Sequence, residues 1–257
     1  MANIHPTAIV SAKAELASDV SVGPYTIINQ EVQIGKGTQI GSNVLVDSYT
    51  RMGENNKIHH GAVLGTPPQD LKFGKEKTFL KIGNNNVIRE YATINRGTKW
   101  RGETIIGDNC FLMIYTHIAH DCLIGNNVIM ANAANLAGHI EIGDYAIIGG
   151  VVPVHQFVKI GAHSIIGGGF RVPKDVPPYI LAGGYPLRYC GLNIIGLIRR
   201  GFSKETIATL KEACKILFQS EYNTTQAVEK IKTEIESIPE VLYLLNFIEQ
   251  STRGIIK

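Results

Sequence analysis

Thr116-His117-Ile118-Ala119-His120-Asp121-Cys122 places two imidazoles three residues apart, with a carboxylate directly after the second. Imidazole is neutral at pH 7 by default, which suits a general base. A neighbouring carboxylate can orient the ring and steady the imidazolium. His120 is therefore read as a base and Asp121 as its partner. Where such a base activates a nucleophile against a carbonyl, a donor is also needed for the developing oxyanion. Gly138, which has no side chain, can offer its N–H to one. Positions 120 and 138 are brought together by a rhythm that runs through most of the chain.

That rhythm has a period of six. Of the 29 sixth positions from Ile4 to Val172, 26 hold Ile, Leu, Val or Met. The misses are Asp70, Glu76 and Trp100, in two interruptions, 70–81 and 100–105. These are twelve and six residues long, so the phase survives both. Gly often follows the aliphatic residue, as at Gly23, Gly41, Gly125 and Gly143, and Asn is common after it. Both tolerate the positive φ expected at corners. The fifth position is usually small or β-branched, which suits short strands. A period of six is one short strand plus one corner. Three units make a triangular turn, and stacked turns make a parallel β-helix with the aliphatic residues inside.

In an 18-residue turn, His120 lies under Gly138, and Gly138 under Gln156. His139 and His155 then share that edge with His120, and His117 lies just before the corner. A lone histidine is more often structural, but four of the chain's eight gathered on one edge favour a shared chemical task. The interruptions are read as loops pushed out of the prism wall, and loops on a rigid frame often carry contacts.

After Val172 the rhythm stops, and Pro173, Pro177, Pro178 and Pro186 bracket a link. Three helices are expected next. Ser203 caps the first, with Ile207, Leu210, Cys214 and Leu217 on one face. The second carries Val228, Ile231 and Ile235, and the third starts near Pro239. The expected division is a coil domain over 1–186 and a helical domain over 187–257.

Bulk composition sets broad bounds. The 257 residues are 44% hydrophobic and 18% charged, as in an ordinary globular chain. The net charge of +3, with no basic stripe interleaved with aromatics, does not suggest a nucleic-acid binder. Cys110, Cys122, Cys190 and Cys214 form no C-x-x-C pair. With no secretory signal, the expectation is reduced thiols and a cytoplasmic location. No apolar run approaches the roughly 18 residues of a membrane span.

The hexads, the Ile118-Ala119-His120-Asp121-Cys122 stretch, Leu136-Ala137-Gly138-His139, Val154-His155-Gln156-Phe157, Gln69-Asp70-Leu71-Lys72, Arg199-Arg200-Gly201-Phe202 and the closing Ser251-Thr252-Arg253-Gly254 together resemble the acyl-ACP–UDP-N-acetylglucosamine O-acyltransferases of lipid A synthesis. The resemblance spans nearly the whole chain and implies a left-handed coil, a hand the periodicity alone does not give. It implies that His120 takes the proton of the sugar 3-hydroxyl, which attacks the thioester of a 3-hydroxyacyl carrier protein, and that the Gly138 amide holds the oxyanion. It places Asp70, Lys72, His117, His139, His155 and Gln156 at the sugar-nucleotide and acyl site. Arg199 and Arg200 are assigned to the phosphates, Asn193 to the uridine side and Gly168 to an acyl-length ruler. It further implies a homotrimer with sites between subunits, and neither cofactor nor metal. Two positions depart from the pattern of a family representative: Ile195 stands where it has Glu, and Ile198 where it has a basic residue. Two other readings compete, N-acylation of a 3-amino sugar nucleotide and a γ-type zinc carbonic anhydrase. The second needs three zinc ligands, and His117 and His120 are too close for its His-x4-His pair.

Overall fold

The computed structural model describes residues 2–257. Short strands repeat once per side of a triangular coil and pair in parallel with the turn above. The register Asn3↔Ser21 and Ile4↔Val22 gives the 18-residue turn. The three faces are sheets of eleven, eight and eight strands, called here the first, second and third faces in the order the chain visits them. Ile28, Leu64, Ile94, Ile118, Leu136 and Ile148 point into the prism and are fully buried. Each such side chain contributes roughly 1.5–3 kcal/mol.

The two interruptions keep the phase. Met52 pairs with Ile82 and Ile58 with Ile88, thirty residues apart, a plain turn plus twelve. Ile82 pairs with Ile106 and Ile94 with Ile118, a plain turn plus six. Their ends join the third face, because Phe79–Ile82 and Glu103–Ile106 pair along their full length. The excursions leave the second face after Thr66 and Asn95 and return to the third, so both bulge at the edge between those faces.

The corners differ from the expectation in one respect. Positive φ falls on the third residue after the inward aliphatic one, and of the hexad glycines among the described residues only Gly65 takes it (φ 79°). Asn43, Asn55, Asn85, Asn109 and Asn127 take it, but so do Asp121 (φ 60°), His139 (64°) and Phe157 (64°). The hexad glycines answer a different need. A Cβ on Gly23 would sit 2.7 Å from the carbonyl carbon of Gly41 one turn above, so close stacking of coils excludes a side chain there.

Strand pairing continues past the expected break at 186/187. Ile180–Gly183 extends the first face and pairs antiparallel with Arg188–Leu192. Four helices follow, not three: α1 (Ile194–Arg199), α2 (Lys204–Gln219), α3 (Thr224–Glu234) and α4 (Pro239–Glu249). The helix missed by periodicity is α1, whose six residues are too few and too apolar to show a polar face. Ser203 caps α2 by accepting from the Thr206 N–H, and Ile207, Leu210, Cys214 and Leu217 are buried as read. Ile235 falls just beyond α3. The chain end returns to the coil, where Ser251 donates to Asp175 at 2.6 Å. Among the described residues, no helix is long and apolar enough to cross a membrane.

Candidate active site

Asp121 is the anchor of the edge between the second and third faces. It is fully buried, at a corner whose αL backbone costs a non-glycine residue about 1–2 kcal/mol. Its Oδ1 accepts from the backbone N–H of Thr98 (3.0 Å) and of Arg101 (3.3 Å). Its Oδ2 accepts from the Thr98 hydroxyl (2.7 Å) and lies 2.8 Å from His120 Nδ1. Burial opposes ionisation of the Asp121 carboxyl. The bonds from His120 and Thr98 and the nearness of His139 outweigh it, so the group is held below the usual carboxylate range. An ionised carboxylate only accepts, so His120 carries a proton on Nδ1, and in the neutral ring Nε2 holds the free lone pair.

The sequence carries no signal for Thr98. It lies in the second excursion, where coil arithmetic assigns no vertical neighbour. The loop therefore clamps the carboxylate that orients the base.

The His120 ring lies against Gly138. A Cβ on Gly138 would meet ring Cε1 at 2.6 Å and Nε2 at 2.8 Å, contacts that real side chains do not make. Its carbonyl takes the Phe157 N–H at 3.2 Å, while its own N–H finds no acceptor among the described residues. Gly138→Ala should push the imidazole out of place. Displacement of about 1 Å can cost about 10²-fold in rate. Steady-state turnover, with circular dichroism as a check on folding, measures this. Near-parental turnover would show that the ring tolerates a side chain beneath it.

His139 lies one rung above Asp121, its Nδ1 3.8 Å from Asp121 Oδ2 and buried without a hydrogen-bond partner. Its ring stands edge-on to His120 (5.0 Å), stacks on Phe157 (4.4 Å, 3° between planes) and takes the Trp100 edge at 5.5 Å. Burial, with the charges of His120 and Arg101, holds the His139 imidazole below its usual pKa, against the pull of Asp121 and Asp70. Asp70, Lys72, Phe73, Glu76, Thr98, Lys99, Trp100 and His139 line one cavity of about 230 Å³. Both excursions thus converge on this edge, and the Lys99 N–H donating to Glu76 (3.3 Å) ties one to the other.

His117 stands one strand earlier, its Nδ1 2.7 Å from the Thr93 hydroxyl. Burial, then the His120 charge, lowers its pKa. His155 and the exposed Gln156 lie above on the same edge, where His155 Nδ1 is 3.1 Å from the Gln156 carbonyl. The structure thus joins His120, Asp121 and His139 directly and sets His117, His155 and Gln156 around them.

Other site candidates lie elsewhere on the prism. Gly168 is exposed at the corner between the first and second faces, above Gly150. Asn193, Arg199 and Arg200 line a cavity of about 870 Å³ on the first face with Ile129, Ile147, Ile165 and Ile195. Asn193 caps α1 and donates to the His163 carbonyl (2.8 Å). The Arg200 guanidinium lies 4.8 Å from the Tyr145 ring centre. Within one chain, these residues do not share an edge with His120.

His163 supports that second patch. Its ring is stacked between Tyr145 (4.9 Å) and Tyr179 (5.7 Å), and its Nδ1 has no partner. Burial, then the Arg200 charge, depresses its pKa to about 4. The unfolded chain binds this proton near pH 6.5 and the folded chain only near 4. The stability tied to neutral His163 is therefore complete above about pH 6.5 and lost as pH falls toward 4. Urea midpoints should drop more steeply across that window in the parent than in His163→Phe. Parallel curves would contradict this.

Comparison with known proteins matches this architecture. Residues 103–138 match the bacterial transferase hexapeptide repeat, and residues 175–256 match the second domain of UDP N-acetylglucosamine O-acyltransferase. Over the whole of both chains, the sequence is 51% identical to the acyl-[acyl-carrier-protein]–UDP-N-acetylglucosamine O-acyltransferase of Thermodesulfovibrio yellowstonii. It is 58% identical to that of Trichlorobacter lovleyi, covering 99% of each chain. The chain belongs to the UDP-N-acetylglucosamine O-acyltransferase family. The solved acyltransferase of Bacteroides fragilis, 45% identical, superposes with a TM-score of 0.97 over 98% of this chain and 99% of that one. Acyltransferases of this family are left-handed coils, and a superposition this close carries the hand to the present chain.

Proposed function

We propose that this protein transfers a 3-hydroxyacyl chain from the thioester of acyl carrier protein to the 3-hydroxyl of UDP-N-acetylglucosamine, the first step of lipid A synthesis. The observation that carries the reading is the His120–Asp121 pair seated on Gly138. It supplies a base whose Nε2 is left without a hydrogen-bond partner and an unused backbone N–H beside it. His120 Nε2 removes the hydroxyl proton as the sugar oxygen attacks the thioester carbon. The Gly138 N–H meets the oxyanion of the tetrahedral intermediate. Collapse breaks the carbon–sulfur bond, and the imidazolium returns its proton to the leaving thiolate of the carrier. Asp70, Lys72, His117, His139, His155 and Gln156 border the sugar and the acyl chain.

The assembly follows from the divided site. Gly168, Asn193, Arg199 and Arg200 sit on the first face and its corner, apart from His120. We infer a homotrimer in which one chain's first face meets the histidine edge of the next. The outward row Val87, Phe111, Ile129, Ile147 and Ile165 along that face suits such burial. In the trimer, Arg199 and Arg200 reach the nucleotide phosphates, for which forked guanidinium groups are suited. Asn193 lies toward the uridine, with Ile195 beside it in place of an acidic side chain, and Gly168 leaves the acyl groove deep. The enzyme works in the cytoplasm, where carrier protein and sugar nucleotide meet.

Mass analysis of products tests the reading. UDP-N-acetylglucosamine and its 3-amino analogue are each offered with carrier thioesters of graded chain length. An ester on the first sugar is expected. An amide formed only on the amino sugar, or no acyl product from either, would overturn it.

A further inference from the structure

Three ligand-capable side chains meet at the base: His120, Asp121 and His139 each offer one donor atom, all within 4.8 Å of one another. Two features make this more than a chance cluster. The carboxylate is fully buried, and His139 Nδ1 is buried with no hydrogen-bond partner, 3.8 Å from Asp121 Oδ2. An unpartnered imidazole nitrogen beside a buried carboxylate is a donor pair that a borderline-soft cation can take.

Two of the three separations can be set against a tetrahedral site. A tetrahedral ion with nitrogen and oxygen at about 2.0–2.2 Å holds its donors about 3.4 Å apart. The two distances to Asp121 Oδ2, 2.8 Å from His120 and 3.8 Å from His139, lie on either side of that value. Shifts of about half an ångström would make both suitable. Thr98 keeps its bond to Oδ2, and the ion takes the lone pair now directed at His120. The charges nearby are mixed: Arg101 opposes a dication and Asp70 favours it.

We propose that His120, Asp121 and His139 form a site for a divalent transition-metal ion such as Zn²⁺, whose binding turns the base off. The inhibition, though not the binding, rests on the acyltransferase reading. The ion binds His120 through Nδ1, so the ring's proton must move to Nε2 for the imidazole to stay neutral. No proton is gained or lost overall. Nε2 is then a donor and cannot accept the hydroxyl proton of the sugar. The ion blocks catalysis by fixing the wrong tautomer, without occupying the sugar or acyl slots.

Calorimetric titration of the full-length protein with Zn²⁺ alone should show one ion per chain, and Co²⁺ in its place should give the visible absorption of a tetrahedral N,O site. His139→Gln and Asp121→Asn should each weaken binding at least about tenfold. His59→Gln, which alters an exposed imidazole beside Glu90, should leave it unchanged. If Asp121→Asn fails to fold, His139→Gln carries the comparison. Acyl transfer should fall in step with occupancy and return when a chelator removes the ion. Parental affinity in His139→Gln would overturn the site by assigning the zinc to scattered surface histidines. Full transfer by zinc-saturated protein would overturn the inhibition. Calorimetry and Co²⁺ absorption need no substrate, so a failure of the acyltransferase reading would leave the metal result standing on its own.

Discussion

His120→Ala is expected to lower turnover by about 10²–10⁴-fold, the usual contribution of a positioned acid–base group. The fold should persist. Asp121 loses one of its partners, but the Thr98 hydroxyl and the N–H groups of Thr98 and Arg101 still hold it. The inward stack is untouched, because Ile118 and Cys122 carry the core on either side. Turnover, thermal midpoint and sedimentation measured together give the test. A folded variant with near-parental turnover would remove His120 from the role of base.

Asp121→Asn should cost up to about 10⁴-fold in turnover for a different reason. An amide turned toward His120 presents an N–H where the carboxylate presented a lone pair, so the ring must place its proton on Nε2. The base is then present in the wrong form. Nucleotide affinity should change little, because Asn193, Arg199 and Arg200 lie on another face. A loss confined to KM, with kcat intact, would assign Asp121 to binding instead.

Much of this was legible in the sequence because one periodicity controls most of the chain. Once the turn is known to be 18 residues, Gly138 must lie over His120, and interruptions of twelve and six must leave the register unchanged. The limits are equally physical. Thr98 holds Asp121 with both its amide and its hydroxyl, but a loop outside the coil has no fixed vertical neighbour. The corner glycines were assigned to positive φ, whereas close contact between successive turns explains them. The helix α1 is a single apolar turn and a half, below the length at which a 3.6-residue pattern shows. Gly168, Arg199 and Arg200 could be matched to the family by type, yet their separation from His120 appears only when the three faces are laid out.

Asp121, His139 and Phe157 all occupy the left-handed bend, a conformation for which Gly or Asn would be cheaper. Durability and chemistry therefore pull against each other at these bends. A mutant library selected for heat resistance alone should drift toward Gly or Asn at 139, and the same clones should lose transfer. This chain can keep an imidazole there only under selection that rewards the product.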